Sequence, residues 1–116
     1  MSVRRIVPNL KTADPAKAKE FYGDFLGLDV VMDQGWIVTY GSDAKMRPQI
    51  SFMSEGGSGA PVPDISVEVD DVDEAYARAK SADYEIVHEL RNEPWGVRRF
   101  FVRDPFGAIV NILTHE

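Results

Sequence analysis

Hydrophobic and polar positions along the chain follow one plan twice, about 57 residues apart. In the first half the extended run Ile6-Val7-Pro8-Asn9-Leu10 leads to Asp14-Pro15. Ala18, Phe21, Tyr22, Phe25 and Leu26 then recur at three- and four-residue spacing, with Lys17, Lys19, Glu20 and Asp24 on the other side, which predicts an amphipathic helix. Asp14 can accept from the free amides of a helix start, Pro15 suits the first helical position, and Gly27 supplies a left-handed stop. In the second half Ile65-Ser66-Val67-Glu68-Val69 leads to Asp71 as the cap, and Val72, Ala75, Tyr76, Ala79 and Ala82 form the matching stripe. Asp83 stands where Gly27 stands, and Asp enters the left-handed region more readily than most residues.

Three strands are predicted after each helix, at 28–33, 35–41 and 48–53 and again at 85–91, 98–103 and 108–114. Asp104-Pro105-Phe106-Gly107 has Asp, Pro and Gly where a tight turn needs them and joins the last two strands as a hairpin. The pattern defines an α+β chain of two βαβββ modules. Neither module is large enough to bury a stable core alone, so the two are expected to pack together around a central groove.

Period-two alternation assigns faces. Ile65, Val67 and Val69 point under the helices, leaving Asp64, Ser66 and Glu68 to the groove. In the first strand Ile6, Pro8 and Leu10 are expected to face the helix and Arg5, Val7 and Asn9 the groove; on 48–53 the polar pair is Gln49 and Ser51. Arg98 and Arg99 point to opposite faces, and only one of them can face inward.

Composition narrows the function classes. At 116 residues the chain reads as one domain, with module one at 1–55 and module two at 62–116. The run Gly56-Gly57-Ser58-Gly59 reads as a flexible connection inside it. It is not followed by the Lys-Ser/Thr that a phosphate loop needs. There is no cysteine and hence no disulfide or thiol chemistry. A net charge of −6 disfavours nucleic acid and anionic membranes as partners and suits a neutral or cationic small ligand. No run of 18 apolar residues and no signal-peptide pattern is present, so a cytoplasmic location without membrane contact is expected.

The order of a strand, an Asp-capped helix with Phe21-Tyr22 and Leu26-Gly27, a second helix capped at Val69-Asp70-Asp71, and then Arg103-Asp104-Pro105-Phe106-Gly107 resembles the vicinal oxygen chelate superfamily over nearly the whole chain. That superfamily includes glyoxalase I, fosfomycin-resistance enzymes, extradiol dioxygenases and bleomycin-resistance proteins. The resemblance implies paired βαβββ modules curled into a partly open barrel-like sheet, often assembled as a homodimer. Metal-dependent members carry His, Gln or Glu at set groove positions, which fall here on Val7, Ser51, Asp64 and Asn111. One carboxylate, one amide, one hydroxyl and one valine are a poor donor set for zinc, nickel or iron. No metal and no cofactor is therefore expected, and His88 and His115 match none of the ligand places.

The remaining candidates are weighed on their chemistry. Asp64 and Glu68 share a strand face but lie roughly 13 Å apart along it, too far to share a proton. A solvated concave face accounts for them, and so does contact with a cationic group. Trp36 and Tyr40, at alternate strand positions, could stack on a planar ligand, although strand aromatics usually belong to a core. Trp95, in the Glu93-Pro94-Trp95-Gly96 turn, has little core to enter and reads as a lid or a dimer contact.

The resulting expectation is a metal-free, bleomycin-resistance-like protein that sequesters a small cationic or aromatic molecule, with no catalytic residue assigned. Its ligand-binding set is Val7, Asn9, Trp36, Tyr40, Gln49, Ser51, Asp64, Glu68, Trp95 and Asn111. The alternative is a lyase or isomerase of glyoxalase type, or a dioxygenase-related enzyme, working through Asp64 or an unrecognised metal site. A third reading, a dimerisation module with a filled groove, fits the polar groove strands less well.

Overall fold

The computed structural model describes residues 1–43 and 49–116. Its strands are β1 (Val3–Lys11), β2 (Asp29–Asp33), β3 (Ile37–Gly41), β4 (Gln49–Met53), β5 (Ile65–Val69), β6 (Ile86–Glu93), β7 (Val97–Arg103) and β8 (Ile109–His115), with one α-helix, α1 (Val72–Ser81). The expected start of the third strand at position 48 lies outside the described residues. The chain forms two compact units, Val7–Val62 and the combination of Met1–Ile6 with Pro63–Glu116.

Both units use one pairing scheme. In the first, β1 runs parallel to β4 (Asn9 opposite Ser51), and β4–β3 and β3–β2 are antiparallel. In the second, β5 runs parallel to β8 (Ser66 opposite Asn111), and β8–β7 and β7–β6 are antiparallel. The repeat extends to an irregularity. The β2–β3 register shifts between Val30 and Met32, and the β6–β7 register shifts between Ile86 and His88. An extra residue inserted at the same place in each outer strand re-aims the side chains beyond it, so Met32 and His88 are equivalent positions.

The local signals of the second unit hold. The Asp71 side chain accepts from Glu74 N at 3.0 Å to cap α1, and Asp83 takes the left-handed φ of 59°. Asp104 Oδ1 accepts from Phe106 N and Ala108 N at 2.8 and 2.9 Å, fixing the β7–β8 hairpin. Val72, Ala79, Val69 and Phe100 form the buried core, with Val67, Ala75 and Ile112 packed against it.

The first unit departs from expectation at its helix. Asp14 caps as predicted, accepting from Ala16 N at 3.2 Å, but the chain forms a 3₁₀ turn over Pro15–Lys17 and then a π-helix over Lys19–Phe25. Leu26 N donates to Phe21 O, five residues back, at 2.9 Å. Wider winding breaks the three-and-four spacing of an α-helical stripe, so only part of it can meet the sheet. Ala18 and Tyr22 pack on the core of Val38, Tyr40 and Phe52, whereas Phe21, Phe25 and Leu26 remain 54, 72 and 52% exposed.

Two further expectations are met only in part or corrected. Leu10 stands opposite Phe52 of the helix-side core, so Leu10, Pro8 and Ile6 turn to the expected face, yet they stay exposed, because the helical segment packs over β3 and β4 and its core includes no β1 residue. The glycine run is not a slack connector. Gly56 N donates to Ala60 O at 2.8 Å, Ala60 N to Gly57 O at 2.9 Å and Gly59 N to the Glu55 carboxylate at 3.2 Å. Gly57, Ser58 and Gly59 are all left-handed, with φ of 85, 51 and 76°.

Candidate functional site

Residues opposite each other across a ladder share a face, and those two apart along a strand do too. On the side of the second unit's sheet away from α1 this gives one row of Ser66, Asn111, Phe101 and His88, and a second of Glu68, Leu113, Arg99 and Arg91. The face is therefore polar and charged, while Val67, Phe100 and Ile112 turn to the helix side.

Asn111 Nδ2 donates to Ser66 Oγ at 3.1 Å. Asn111 is 7% exposed, and its Oδ1 meets no hydrogen-bond donor among the described residues. Beside it, Phe101 is fully buried and lies 5.0 Å from the His88 ring.

Glu93 organises the far end of the face. Its Oε1 lies 2.8 Å from Arg91 Nε and 3.3 Å from His88 Nε2, and its Oε2 lies 3.5 Å from Arg99 Nη2. The Arg99 guanidinium sits 4.9 Å from the Trp95 ring and 4.7 Å from that of Phe101, cation–π distances on two aromatic partners. Burial pushes Arg99 down to about 10, against the pull of Glu93. The opposed arginines, Arg91 and Arg99, would repel across the ladder without that carboxylate. Nearer β1, Glu68 accepts from Arg5 Nε and pairs with His115 Nδ1 at 3.0 Å.

Asn111 and Glu68 thus lie on the polar face, and Trp95 adjoins it as the cover over Arg99 rather than as a free lid. Asp64 stands exposed at the start of β5, where its Oδ2 accepts from Ile109 N and its own N donates to Ile109 O, both at 2.8 Å. In the first unit Val7, Asn9 and Ser51 are buried, and Asn9, Ser51 and Thr39 form a row in which Thr39 Oγ1 and Ser51 Oγ are 2.7 Å apart. Gln49 shares the Ser51 face by strand period. Trp36 precedes β3, where its carbonyl accepts from Ser54 N at 2.9 Å. Tyr40 does not share the Ser51 face. Register pairs it with Ile50, and it is 2% exposed in the helix-side core with Phe52.

Arg99, Glu93, His88 and Thr39 are the site-forming residues that sequence reasoning does not select. The Arg98-Arg99 doublet announces one inward arginine. Structure decides for Arg99, since Arg98 pairs outward with Asp73 at 2.8 Å and with Asn92 at 3.0 Å. His88 is turned to Glu93 by a register shift that composition does not reveal.

The donors at the four superfamily ligand places do not fit a metal. Val7 offers none, Ser51 is bonded to Thr39, Asn111 is an amide bonded to Ser66, and the Asp64 carboxylate already accepts from Ile109 N. Among the described residues no group of three or more His, Cys, Asp or Glu side chains is placed to hold an ion, and no helix is long and apolar enough to cross a membrane.

The duplicated βαβββ plan and the polar sheet faces define a protein of the glyoxalase type. The chain belongs to the Glyoxalase/Bleomycin resistance protein/Dioxygenase superfamily, whose family model matches residues 5–112. No curated protein matches the sequence. Among solved structures it is similar to a glyoxalase/bleomycin resistance protein/dioxygenase superfamily member from Vibrio splendidus 12B01, at 21% identity and TM-score 0.70, covering 99% of this chain and 100% of that one. It is also similar to the methylmalonyl-CoA epimerase (Q60A) of Streptomyces coelicolor, at 17% identity and TM-score 0.69, covering 98 and 99%. A third similar structure is described as a NAD-dependent benzaldehyde dehydrogenase from Legionella pneumophila, at 16% identity and TM-score 0.75, covering 97 and 100%. At such identities these likenesses establish the fold.

Proposed function

We propose that this chain is a metal-free binding protein that holds a small organic molecule against the polar face of its second unit, as a cytoplasmic homodimer without nucleic-acid or membrane partners. The observation that carries the reading is Asn111 Oδ1, a buried acceptor that no donor reaches among the described residues. An unsatisfied buried polar atom costs about 1–3 kcal/mol, and a ligand N–H, ammonium or hydroxyl recovers it once neighbouring side chains shift to admit the donor, since the atom has almost no exposed surface of its own. The ligand is thus a neutral or cationic donor, in keeping with the net charge of −6. Phe101 beside Asn111 is fully buried and backs the site rather than meeting a ligand, while Glu93 holds Arg99 in place. Affinity comes from apolar surroundings and orientation from the few polar groups, which is sequestration rather than turnover.

The lyase or isomerase reading through Asp64 draws less support, since that carboxylate is exposed and accepts from a backbone amide. The test is a thermal-shift screen across cationic, neutral and anionic aromatic compounds, with Asn111→Leu as the control. A donor-bearing cationic or neutral compound should stabilise the wild type and lose its effect in the variant. Hits confined to anions would contradict the reading.

A further inference from the structure

The π-helical segment of the first unit leaves an apolar strip uncovered. Its hydrogen bonds reach five residues back, as from Leu26 N to Phe21 O, so residues four and five apart come to one side. Phe21, Phe25 and Leu26 are related in that way, and all three are more than half exposed. An α-helix of the same sequence would carry Leu26 round to another face than Phe21. The two rings pack on each other at a centroid distance of 5.1 Å. On the inner side Tyr22 packs on Phe52 at 4.6 Å, and a Cβ on Gly23 would stand 3.4 Å from the Tyr40 ring. The winding itself thus turns the strip outward from an anchored base.

Charge is arranged about the strip with a direction. Lys17 stands four residues before Phe21, and Asp29 stands four residues after Phe25. Both are exposed, and neither forms an ion pair among the described residues, whereas Lys19 and Asp24 pair with each other at 3.2 Å. One end of the strip therefore carries an uncommitted cation and the other an uncommitted anion.

We infer that the Phe21–Phe25–Leu26 strip of one copy packs antiparallel on the same strip of a second copy. The occupant is this chain itself, because reversing the direction of the segment lays Phe21 against Phe25 of the other copy and Lys17 towards Asp29 of the other copy, at both ends. Both sides of the contact come from one segment of the first unit, so a two-fold axis closes it without any further surface. The inference rests on the homodimer proposed above and names its contact. The exposed parts of the three residues amount to about 350 Å² per copy, taking roughly 200 Å² for each whole residue. Two copies together bury about 700 Å² of apolar surface. Homodimer interfaces are about 65% apolar, so a patch of that size belongs to a total of about 1,100 Å², the size of a small, reversible dimer.

Sedimentation velocity on the full chain over a concentration series tests this. Phe25→Ser should raise the dimer dissociation constant at least about tenfold with far-UV circular dichroism unchanged, and Leu26→Ser serves as the second strip variant should Phe25→Ser fail to fold. Lys17→Glu and Asp29→Lys each set like charges together at two places and should each weaken the dimer about fivefold. Mixing these two reversals makes both ends attractive again, so a heterodimer should form more tightly than either variant with itself, and the double variant Lys17→Glu/Asp29→Lys should regain self-association. A dimer indifferent to the strip variants would overturn the contact while leaving the homodimer standing. Charge reversals that fail to rescue each other would overturn the antiparallel arrangement. A monomeric wild type would overturn both the contact and the homodimer, and an apolar dye bound by that monomer but not by Phe25→Ser would assign the strip to a different partner.

Discussion

Glu93 and Arg99 face each other inside the second unit, with Oε2 and Nη2 3.5 Å apart and side chains 0 and 3% exposed. The pair joins the end of β6 to the middle of β7 and gives the Trp95 turn a fixed guanidinium to rest on. Breaking one side of a buried pair strands the other charge, at about 3–5 kcal/mol, whereas replacing both sides with residues of similar size is often nearly neutral. Glu93→Gln should therefore destabilise by that amount in urea unfolding. The double variant Glu93→Gln/Arg99→Met should be more stable than Glu93→Gln alone.

Asn111→Leu separates stability from function. The change removes an acceptor that meets no donor among the described residues but also the Asn111–Ser66 hydrogen bond; the two effects oppose, so the ligand-free protein should stay within about 1 kcal/mol of wild type. Ligand binding should fall by about tenfold or more, the equivalent of about 1.4 kcal/mol. Differential scanning calorimetry with and without a screening hit checks both halves.

Glu68 gives the second unit an acid sensitivity. Burial alone would raise its carboxyl, but hydrogen bonds from His115 and Arg5 outweigh burial and hold it below the usual 4.5. The folded state then binds its proton later than the unfolded state as pH falls. The stabilisation is complete above about pH 4.5 and is lost as pH drops through the lowered folded value. Urea midpoints followed from about pH 6 to about pH 3 should fall less steeply in Glu68→Gln than in wild type. At neutral pH the variant should be the less stable of the two.

Gly56 cannot carry a side chain. A Cβ there would stand 2.0 Å from the Pro61 carbonyl oxygen and 2.9 Å from that of Ala60, both backbone atoms that cannot swing aside. Gly56→Ala should cost about 3 kcal/mol or more. The equivalent change at Gly35, where nothing lies within 4 Å but φ is +83°, should cost only the smaller strain of a left-handed residue, about 1–2 kcal/mol. Parallel denaturant titrations of the two variants give the comparison.

The architecture was legible where the cause is local. Asp14, Asp71, Asp83 and Asp104 each act within a few residues of themselves, and each occupies the role its neighbours dictate. The first helix was not legible in its winding. The apolar spacing of Phe21, Tyr22, Phe25 and Leu26 satisfies an α-helix on paper, whereas bonds from residue i to i+5 place only Tyr22 of these on the core. Facing was legible on β5, which has clean alternation, and lost on β3, where every residue is buried and burial pattern cannot distinguish Tyr40 from Thr39. The candidate site was only half visible. Asn111 and Glu68 stand on strands whose face the sequence sets, while the Glu93 cluster depends on a register shift in β6 that leaves no compositional trace.

The central claim is that the polar face of the second unit holds an organic donor rather than a metal ion. Native mass spectrometry of wild type and Asn111→Leu, both purified without chelator, tests it most directly. The predicted result is a metal-free wild type carrying an organic adduct that is absent from the variant. A stoichiometric divalent ion on the wild type, or an adduct retained equally by Asn111→Leu, would contradict it.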